Sequence, residues 1–241
     1  MRGVLHYFER DFKRWTRGKI NVVSSLAMPA AWLIFVGLTL PIRFTDNYLD
    51  FITPGILVMT MLFASLTGGS LLIFDKMLGF LNKFLALPTP RESILFGKIL
   101  FITFRGLIQS TVILGIAIIL GVKFHSFIAI SLAYVVLLIF GILFSAIATT
   151  IALLVDDHDG YAAVTSMVSM PLFFTSSALM PYEMMPSWLR ILASLNPVSY
   201  AIDTARALFA GNFALNGIME LILITVVVLV ISVYTFRRAT V

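Results

Sequence analysis

Residues 127–155 read FIAISLAYVVLLIFGILFSAIATTIALLV, and this run contains no Asp, Glu, Lys or Arg. A transmembrane helix needs about 20 mostly apolar residues to cross a hydrocarbon layer of about 30 Å. The run is longer than that, so it predicts a spanning helix that tilts or extends past the bilayer. It also lacks the alternation that is typical of a strand in a membrane β-barrel.

The composition of the whole chain extends this interpretation. The 241 residues are 60% hydrophobic and 12% charged, with a mean hydropathy of +1.01. Soluble globular proteins are about 45–50% apolar and about 25% charged, so lipid is the expected solvent. There are no cysteines, and the three histidines, His6, His125 and His158, are too scattered to predict a metal site. The net charge of +5 indicates membrane topology rather than a nucleic-acid partner.

We predict an all-α integral membrane protein that forms a single domain over residues 1–241. Six segments are expected to span: 21–41, 53–74, 99–121, 127–155, 161–180 and 218–236. Lys and Arg are concentrated before the first span, after the second and after the last. The positive-inside rule therefore predicts a multi-pass protein of the cell membrane with both termini in the cytoplasm.

The N-terminal segment 1–20 has the pattern of a basic amphipathic helix. Leu5, Phe8, Phe12 and Trp15 recur at helical spacing, and basic residues fall largely on the other faces. Such a helix lies flat at the membrane interface. Two interpretations stay open: the helix is only an anchor, or it also contacts a cytoplasmic partner.

The loop 75–97 is expected in the cytoplasm. Its residues have a helical pattern that a plain linker would not need. Met77, Leu81, Phe84 and Leu85 fall on one face of a predicted helix, and Pro88 and Pro90 end it. This pattern favours a docking helix, with a helix lying on lipid as the alternative.

The region 181–217 is too polar to span and predicts short outer or re-entrant helices between the fifth and sixth spans. Asn196-Pro197 separates two of them, and Asp203 and Arg206 have the i, i+3 spacing of an ion pair. We favour a structural role for this pair over substrate binding.

Catalytic patterns are missing from the sequence. It contains no G-x-x-x-x-G-K-[ST] phosphate loop, no G-x-S-x-G and no H-E-x-x-H. We therefore predict no enzyme activity and no bound cofactor.

Arg105 in the third span either snorkels or pairs inside the bundle, and Glu220 is expected in water near the outer interface. Small residues in the second span, Ala64, Ser65, Gly68 and Gly69, predict close helix packing.

Two motifs in this order resemble the ABC-2 type permeases, the membrane subunits of type V ABC exporters such as the daunorubicin-resistance and nodulation-factor export permeases. The first is similar to F-D-[RK] followed by L-P-x-x-R-x-x-x-[LF]-x-G-K, and the second to L-N-P-[LV]-[ST]-Y-x-x-D-x-x-R. The first is matched by Phe74, Asp75, Lys76, Pro88, Arg91, Gly97 and Lys98, and the second by Asn196, Pro197, Tyr200, Asp203 and Arg206. The family's usual G-T-L-E is replaced by residues 79–82, GFLN.

The resemblance implies six helices per subunit, a dimer with a second copy or a homologous permease, and a separate cytoplasmic ATPase that binds ATP and Mg²⁺. Segment 1–20 would be the connecting helix, and loop 75–97 would hold a coupling helix that docks on the ATPase. Its anchors would be Leu81, Phe84 and Leu85, with Asp75, Lys76, Lys83 and Arg91 nearer the rim. A substrate path at the dimer interface would be lined by Met59, Phe63, Met167, Met170, Phe173 and Phe174.

The leading hypothesis is thus the permease subunit of an ATP-driven exporter of an amphiphilic or lipid-like substrate, such as a drug, a lipid or a glycan-linked lipid. Two alternatives stay open. One is a channel or carrier that works without ATP, and the other is a membrane scaffold or assembly factor.

The charge asymmetry predicts the topology, and the absence of cysteine makes it easy to test. Single cysteines replacing Asp46, Ser126 or Glu183 should react with an impermeant maleimide outside intact cells, whereas a cysteine replacing Asn82 should react only after lysis. Labelling of the Asn82 position in sealed cells would contradict the predicted orientation.

Overall fold

A computed structural model describes residues 2–37, 48–86 and 90–238. Within these ranges the chain is helical and contains no strand. The helices are α1 (Arg2–Arg17), α2 (Lys19–Ala31), α3 (Tyr48–Gly68), α4 (Ser70–Met77), α5 (Phe80–Leu85), α6 (Glu92–Ile119), α7 (Phe127–Leu154), α8 (His158–Phe174), α9 (Ser187–Leu195), α10 (Pro197–Phe209) and α11 (Leu215–Arg238). A π-helical turn, Trp32–Val36, continues α2, and a 3₁₀ turn, Tyr182–Met184, precedes α9.

In the described part of the chain, four helical stretches are long and apolar enough to cross a membrane. They are Tyr48–Met77, which comprises α3 and α4, and the helices α6, α7 and α11. A fifth is counted if α1 and α2, which meet at a bend of 76°, are taken as one broken span. The predicted spans 53–74, 99–121, 127–155 and 218–236 match these four stretches.

The other two predicted spans are less complete. Span 21–41 begins as α2, but its last residues fall outside the described ranges. Span 161–180 corresponds to α8, which has only 17 residues and is followed by turns. The all-helical membrane fold is confirmed, and the count of six spans stays a prediction.

Helix α3 is the centre of the bundle. In an apolar 18-residue stretch of Tyr48–Met77, which comprises α3 and α4, 78% of the residues are buried, compared with 17% in the corresponding stretch of α11. Helix α3 packs against α6, α7, α8 and α10. Because other helices of the same chain surround α3, most of its side chains contact protein rather than lipid.

Small residues allow this close packing. A Cβ built on Gly68 would collide with the side chain of Ile102 on α6. A Cβ on Gly69 would collide with the hydroxyl of Tyr161 and would lie 2.7 Å from the carbonyl oxygen of Ala148 on α7. The predicted close approach of the second span is therefore confirmed, and the neighbours are helices of the same chain.

Side-chain hydroxyl groups form hydrogen bonds between the central helices. Thr103 Oγ1 on α6 lies 3.2 Å from Ser145 Oγ on α7, and Ser145 donates to Ser65 Oγ on α3 at 3.4 Å. Thr150 on α7 donates to Ser232 Oγ on α11 at 2.9 Å. Lipid offers no hydrogen-bond partner, so polar groups between spanning helices must satisfy one another.

The bundle has two chemically different ends. We call the first the basic end; it comprises α1, α4, α5, the start of α6 and the last residues of α11. We call the second the α10 end; it comprises α9, α10 and the starts of α3 and α11. Arg237 and Glu92 pair at 2.6 Å across the basic end. At the α10 end, the Lys123 backbone N–H donates to Asp50 Oδ1 at 3.0 Å.

Gly69→Ala should lower the thermal stability of the purified protein in detergent. The added methyl would meet a backbone carbonyl, which cannot rotate away, and overpacking of this kind costs about 1–3 kcal/mol. The matched control is Gly115→Ala on α6, where no atom of the described residues lies within 4 Å of the built Cβ. Equal melting temperatures for the two variants would contradict the close contact at Gly69.

Candidate functional site

Helix α1 lies against α6 through its aromatic side chains. Phe8 meets the rings of Phe101 and Phe104 at centroid distances of 6.0 and 5.5 Å. Gly97 permits the approach, because a Cβ there would lie 2.7 Å from Tyr7 Cβ. The predicted apolar face of segment 1–20 therefore packs largely on protein, although Leu5 is exposed.

A buried ion cluster ties α1, α4 and α6 together. Lys98 Nζ on α6 lies 2.9 Å from Asp11 Oδ2 on α1 and 2.5 Å from Asp75 Oδ2 on α4. Arg10 Nη2 lies 2.7 Å from Asp11 Oδ1 and 2.5 Å from Asp75 Oδ2. Asp11, Asp75 and Lys98 are at most 1% exposed. The two cations balance the two carboxylates, which is the condition for holding such charges away from water.

The ion cluster also shifts the pKa of one of its own members, Arg10. Burial disfavours the charged form of Arg10, but the adjacent carboxylates of Asp11 and Asp75 outweigh that effect, so the pKa of Arg10 is raised. Arg10 also lies over the ring of Phe84 on α5, 4.7 Å from its centroid. Through Arg10, the cluster therefore also contacts the short helix α5.

Lys76 connects α4 to the end of α7. Its ammonium donates to the carbonyl oxygens of Leu153 and Val155 at 3.3 and 3.1 Å and to Asp156 Oδ1 at 2.8 Å. A cation here satisfies carbonyls that the last turn of a helix leaves without partners. The hydrogen bond from Lys76, with its positive charge, lowers the pKa of Asp156.

The loop 75–97 does not form one continuous docking helix. Helix α4 ends at Met77, Gly79 adopts a left-handed backbone with φ of +69°, and α5 starts afresh at Phe80. The expectation that Met77 shares one helix face with Leu81, Phe84 and Leu85 is therefore wrong, because Met77 ends α4 and the other three belong to α5. A left-handed residue turns the chain, and glycine adopts that conformation at no steric cost.

The predicted coupling residues lie in different environments. Leu81 is 1% exposed and Asp75 is buried, so both support the segment from inside this chain. Phe84 and Leu85 are half-buried, while Lys83 and Arg91 are exposed. Between Asp75 and Ala86 the large apolar side chains that are exposed are Met77, Leu78 and Phe80. Contact of any of these residues with an ATPase stays a prediction.

At the α10 end, the second motif joins separate helices. Asn196 caps α10 by accepting a hydrogen bond from Val198 N at 2.9 Å, and its amide donates to Leu172 O of α8 at 2.6 Å. Pro197 occupies the first turn of α10, where its missing N–H costs nothing. Tyr200 donates to Ser194 O at 2.8 Å. These side chains fix α8, α9 and α10 relative to one another.

The predicted Asp203–Arg206 ion pair is present at 3.1 Å. Asp203 also accepts hydrogen bonds from Ser177 Oγ and Tyr182 Oη at 2.5 and 2.7 Å. Arg206 donates to Ser177 O at 2.9 Å and lies 3.9 Å from the ring centroid of Phe51 on α3. Burial, together with the hydrogen bond to the Asp203 carboxylate, raises the pKa of Tyr182 to about 12. The pair is thus surrounded by protein contacts, as a structural role requires.

The predicted path residues do not share one surface. Met59 and Phe173 are 1% exposed and belong to the core of the bundle, and Phe63 is half-buried. Met167, Met170 and Phe174 are exposed along α8. In this conformation a surface for a partner or a substrate is available on α8 rather than on the middle of α3.

The sequence analysis singled out two further ionisable residues, Arg105 and Glu220. Arg105 donates to Ala64 O at 2.6 Å and to Thr67 Oγ1 at 3.0 Å, and it pairs with no carboxylate in the ranges that the structure describes. Glu220 is exposed on α11, as expected. No group of His, Asp and Glu side chains suited to a metal occurs among the described residues.

Sequence reasoning missed the ion cluster, although one signal pointed to it. Asp11 follows Tyr7 by four residues and Phe8 by three, so it lies in the apolar stripe of α1 rather than on the basic face. A carboxylate in an apolar stripe calls for a buried cation as partner. Lys98 matched the family motif but was given no role.

Known proteins similar to this chain place it in a family. The family model described as ABC-2 type transporter matches residues 3–210. The chain is 37% identical over 213 residues to a putative transport permease, ycf38, of Cyanophora paradoxa, covering 85% of this chain and 73% of that one. It is 28% identical to a probable doxorubicin resistance ABC transporter permease protein, DrrC, of Mycobacterium tuberculosis, covering 96% and 87%.

A third similar protein is Nodulation protein J of Rhizobium leguminosarum, with 20% identity over 97% of this chain. The chain belongs to the ABC-2 type transporter family. It is a membrane protein of the ABC transporter permease class, which confirms the resemblance.

Lys98→Met should destabilise the protein by about 3–5 kcal/mol, because it leaves two buried carboxylates with one cation. A lower melting temperature in detergent measures the effect. Lys83→Met removes an exposed ammonium nearby in sequence and should change little.

A second substitution separates charge balance from lost packing. Asp75→Asn added to Lys98→Met restores one cation to one carboxylate, so the double variant should be more stable than Lys98→Met alone. A double variant that is no more stable than Lys98→Met would contradict the cluster as a balanced unit.

Proposed function

We propose that this chain is the permease subunit of an ATP-driven exporter, with the basic end in the cytoplasm of the cell and a separate ATPase below it. ATP and Mg²⁺ would bind to the partner, since the chain has no phosphate loop. The observation that carries the proposal is the assembly of α1, α4 and α6 around Lys98, with α5 attached to it through Phe84. This assembly leaves apolar side chains exposed where α4 meets α5.

The surface for the ATPase would be the exposed apolar patch of Met77, Leu78 and Phe80, which are 56%, 59% and 42% exposed. We call these three residues the coupling patch. In the proposed orientation they lie beyond the membrane among charged groups, so water rather than lipid would surround them. Apolar side chains exposed together in water mark a protein contact. The Phe84 ring, 6.3 Å from that of Phe80, supports the patch from below.

Movement of the ATPase would reach the spanning helices through the contacts behind the coupling patch. Tyr7 and Arg10 of α1 both contact Phe84, at centroid distances of 5.2 and 4.7 Å. Lys98 then joins α1 and α4 to α6, and Lys76 joins α4 to α7. A push on α5 would therefore move four helices as one body, which is rigid-body coupling through packed elements.

The substrate would be an amphiphile, such as a drug or a lipid, that crosses between two permease subunits. The second subunit would be a copy of this chain or a homologous permease. Support comes from relatives that carry doxorubicin and daunorubicin resistance in their names. Met167, Met170 and Phe174 of α8 would face the second subunit or the substrate. Flexible methionine side chains suit ligands of variable shape.

Truncation of the coupling patch tests the ATPase contact. Phe80→Ala should weaken co-purification of the proposed partner ATPase, because an apolar anchor at such an interface contributes about 2 kcal/mol or more. Export by cells carrying the variant should fall in parallel. Lys83→Ala, which removes a neighbouring exposed charge, should cost only about 0–1 kcal/mol.

Melting temperature in detergent gives the control, since an exposed Phe80 contributes little to folding. If Phe80→Ala folds normally and still binds the ATPase and exports as the unmodified protein does, the coupling patch has been assigned to the wrong residues.

A further inference from the structure

A cavity of about 400 Å³ lies where α1 meets α2 and where α3 meets α4, against α6. Its polar lining is formed by Arg14, Ser24, Ser25, Thr67, Ser70 and Arg105, and Trp15 also lines it. Leu71, Phe74 and Phe101 form the apolar part. A volume in this range suits a small ligand or the polar part of a larger one, since ligand sites are typically about 300–1,000 Å³.

The charge of this cavity is one-sided. The described residues that line it include two arginines and no Asp or Glu. Neither arginine forms an ion pair within the described ranges, where Arg14 approaches only the face of the Phe74 ring at 5.8 Å. This is unlike Arg10 and Lys98, a short distance away along the same helices, which are fully balanced by carboxylates. An unbalanced pair of cations in a partly enclosed site favours an anion.

Arg105 in particular has unused donors. Of the five N–H groups of a guanidinium, its hydrogen bonds to Ala64 O and Thr67 Oγ1 both come from Nη2. Its Nε is buried and has no hydrogen-bond partner in the described part of the chain. Buried polar groups are nearly always satisfied, so an orphaned guanidinium N–H beside a cavity points to a missing acceptor.

The position of the cavity indicates the kind of anion. Phe101 lines it and also packs against Trp15 and Phe8 of α1, at centroid distances of 6.4 and 6.0 Å. The cavity is therefore at the depth of α1, which the proposed orientation puts at the membrane interface. Ile20 and Val23 of α2, close by in sequence, are 84% and 70% exposed and are suited to lipid. The site thus combines an anion-binding wall with an adjoining apolar surface.

We propose that this cavity binds the phosphate-bearing headgroup of an anionic amphiphile from the inner leaflet. Arg14 and Arg105 pair with the phosphate oxygens. The hydroxyls of Ser25 and Ser70 donate to Val22 O and Thr67 O, so toward the rest of the headgroup they act only as acceptors. Arginine is well matched to phosphate because its planar fork can donate two parallel hydrogen bonds. The proposal rests on the orientation given under the proposed function, and it identifies a lipid-recognition site within a single subunit.

The test uses the full chain, purified in mild detergent with equal amounts of phosphatidylglycerol and phosphatidylcholine, and native mass spectrometry to count each lipid retained. The unmodified protein should retain phosphatidylglycerol preferentially. Arg14→Gln should reduce that preference about fivefold, the effect of one interfacial cation on an anionic lipid. Adding Arg105→Gln should abolish it.

The matched control is Lys13→Gln, which removes the same charge from the adjacent residue of α1. Lys13 is exposed and pairs with Glu9 at 2.6 Å, away from the cavity lining. It should leave the lipid preference unchanged. Because Arg14 is exposed, Arg14→Gln keeps the test informative even if the double variant fails to fold.

Two results would overturn the proposal. One is an equal loss of preference in Lys13→Gln and Arg14→Gln, which would indicate diffuse attraction to the basic end. The other is full displacement of phosphatidylglycerol by millimolar inorganic phosphate, which would indicate a site for a free anion. The measurement needs no ATPase, so it can fail or succeed independently of the co-purification test of the coupling patch.

Discussion

The ammonium of Lys98 has no contact with solvent and is held between the carboxylates of Asp11 and Asp75. Taking such charges out of water is expensive, and the cost is offset only while all partners stay in place. The arrangement of α1, α4 and α6 therefore cannot relax in small steps, because separating any one helix leaves an unbalanced buried charge. The aromatic contacts of α1 and the packing of α5 build on this fixed frame.

In the proposed coupling function, this frame would carry movement of the ATPase to the apolar spanning helices. Apolar contacts between spanning helices are weakly directional, since lipid tails offer similar surroundings. Charge-assisted hydrogen bonds are stronger and have a preferred geometry. Here they are concentrated at the basic end, where Lys76 also attaches α4 to the carbonyls that end α7. The proposed coupling function places the ATPase contact on the outside of this region.

At the α10 end, an ion pair and side-chain hydrogen bonds hold short helices in place. Asp203 and Arg206 join α10 to the turn after α8 and to the start of α3. Asn196 satisfies groups at the end of α8 and at the start of α10. Short helices between spans leave many backbone groups without partners, and these side chains supply them. Between the two ends, glycines and hydroxyl-bearing residues let α3 pack closely against α6 and α7.

The sequence alone determined the membrane class, the positions of four spanning stretches and the Asp203–Arg206 pair, because apolar run length and i, i+3 spacing are local properties of the chain. It also carried the motifs that identify the family. Only the tertiary structure decided the partners of Asp11, Asp75 and Lys98, which are far apart in sequence, and the burial of Leu81, Met59 and Phe173. An apolar side chain in a membrane protein looks the same in sequence whether it faces lipid, a partner or another helix. That choice is made by helix packing, which no local pattern encodes.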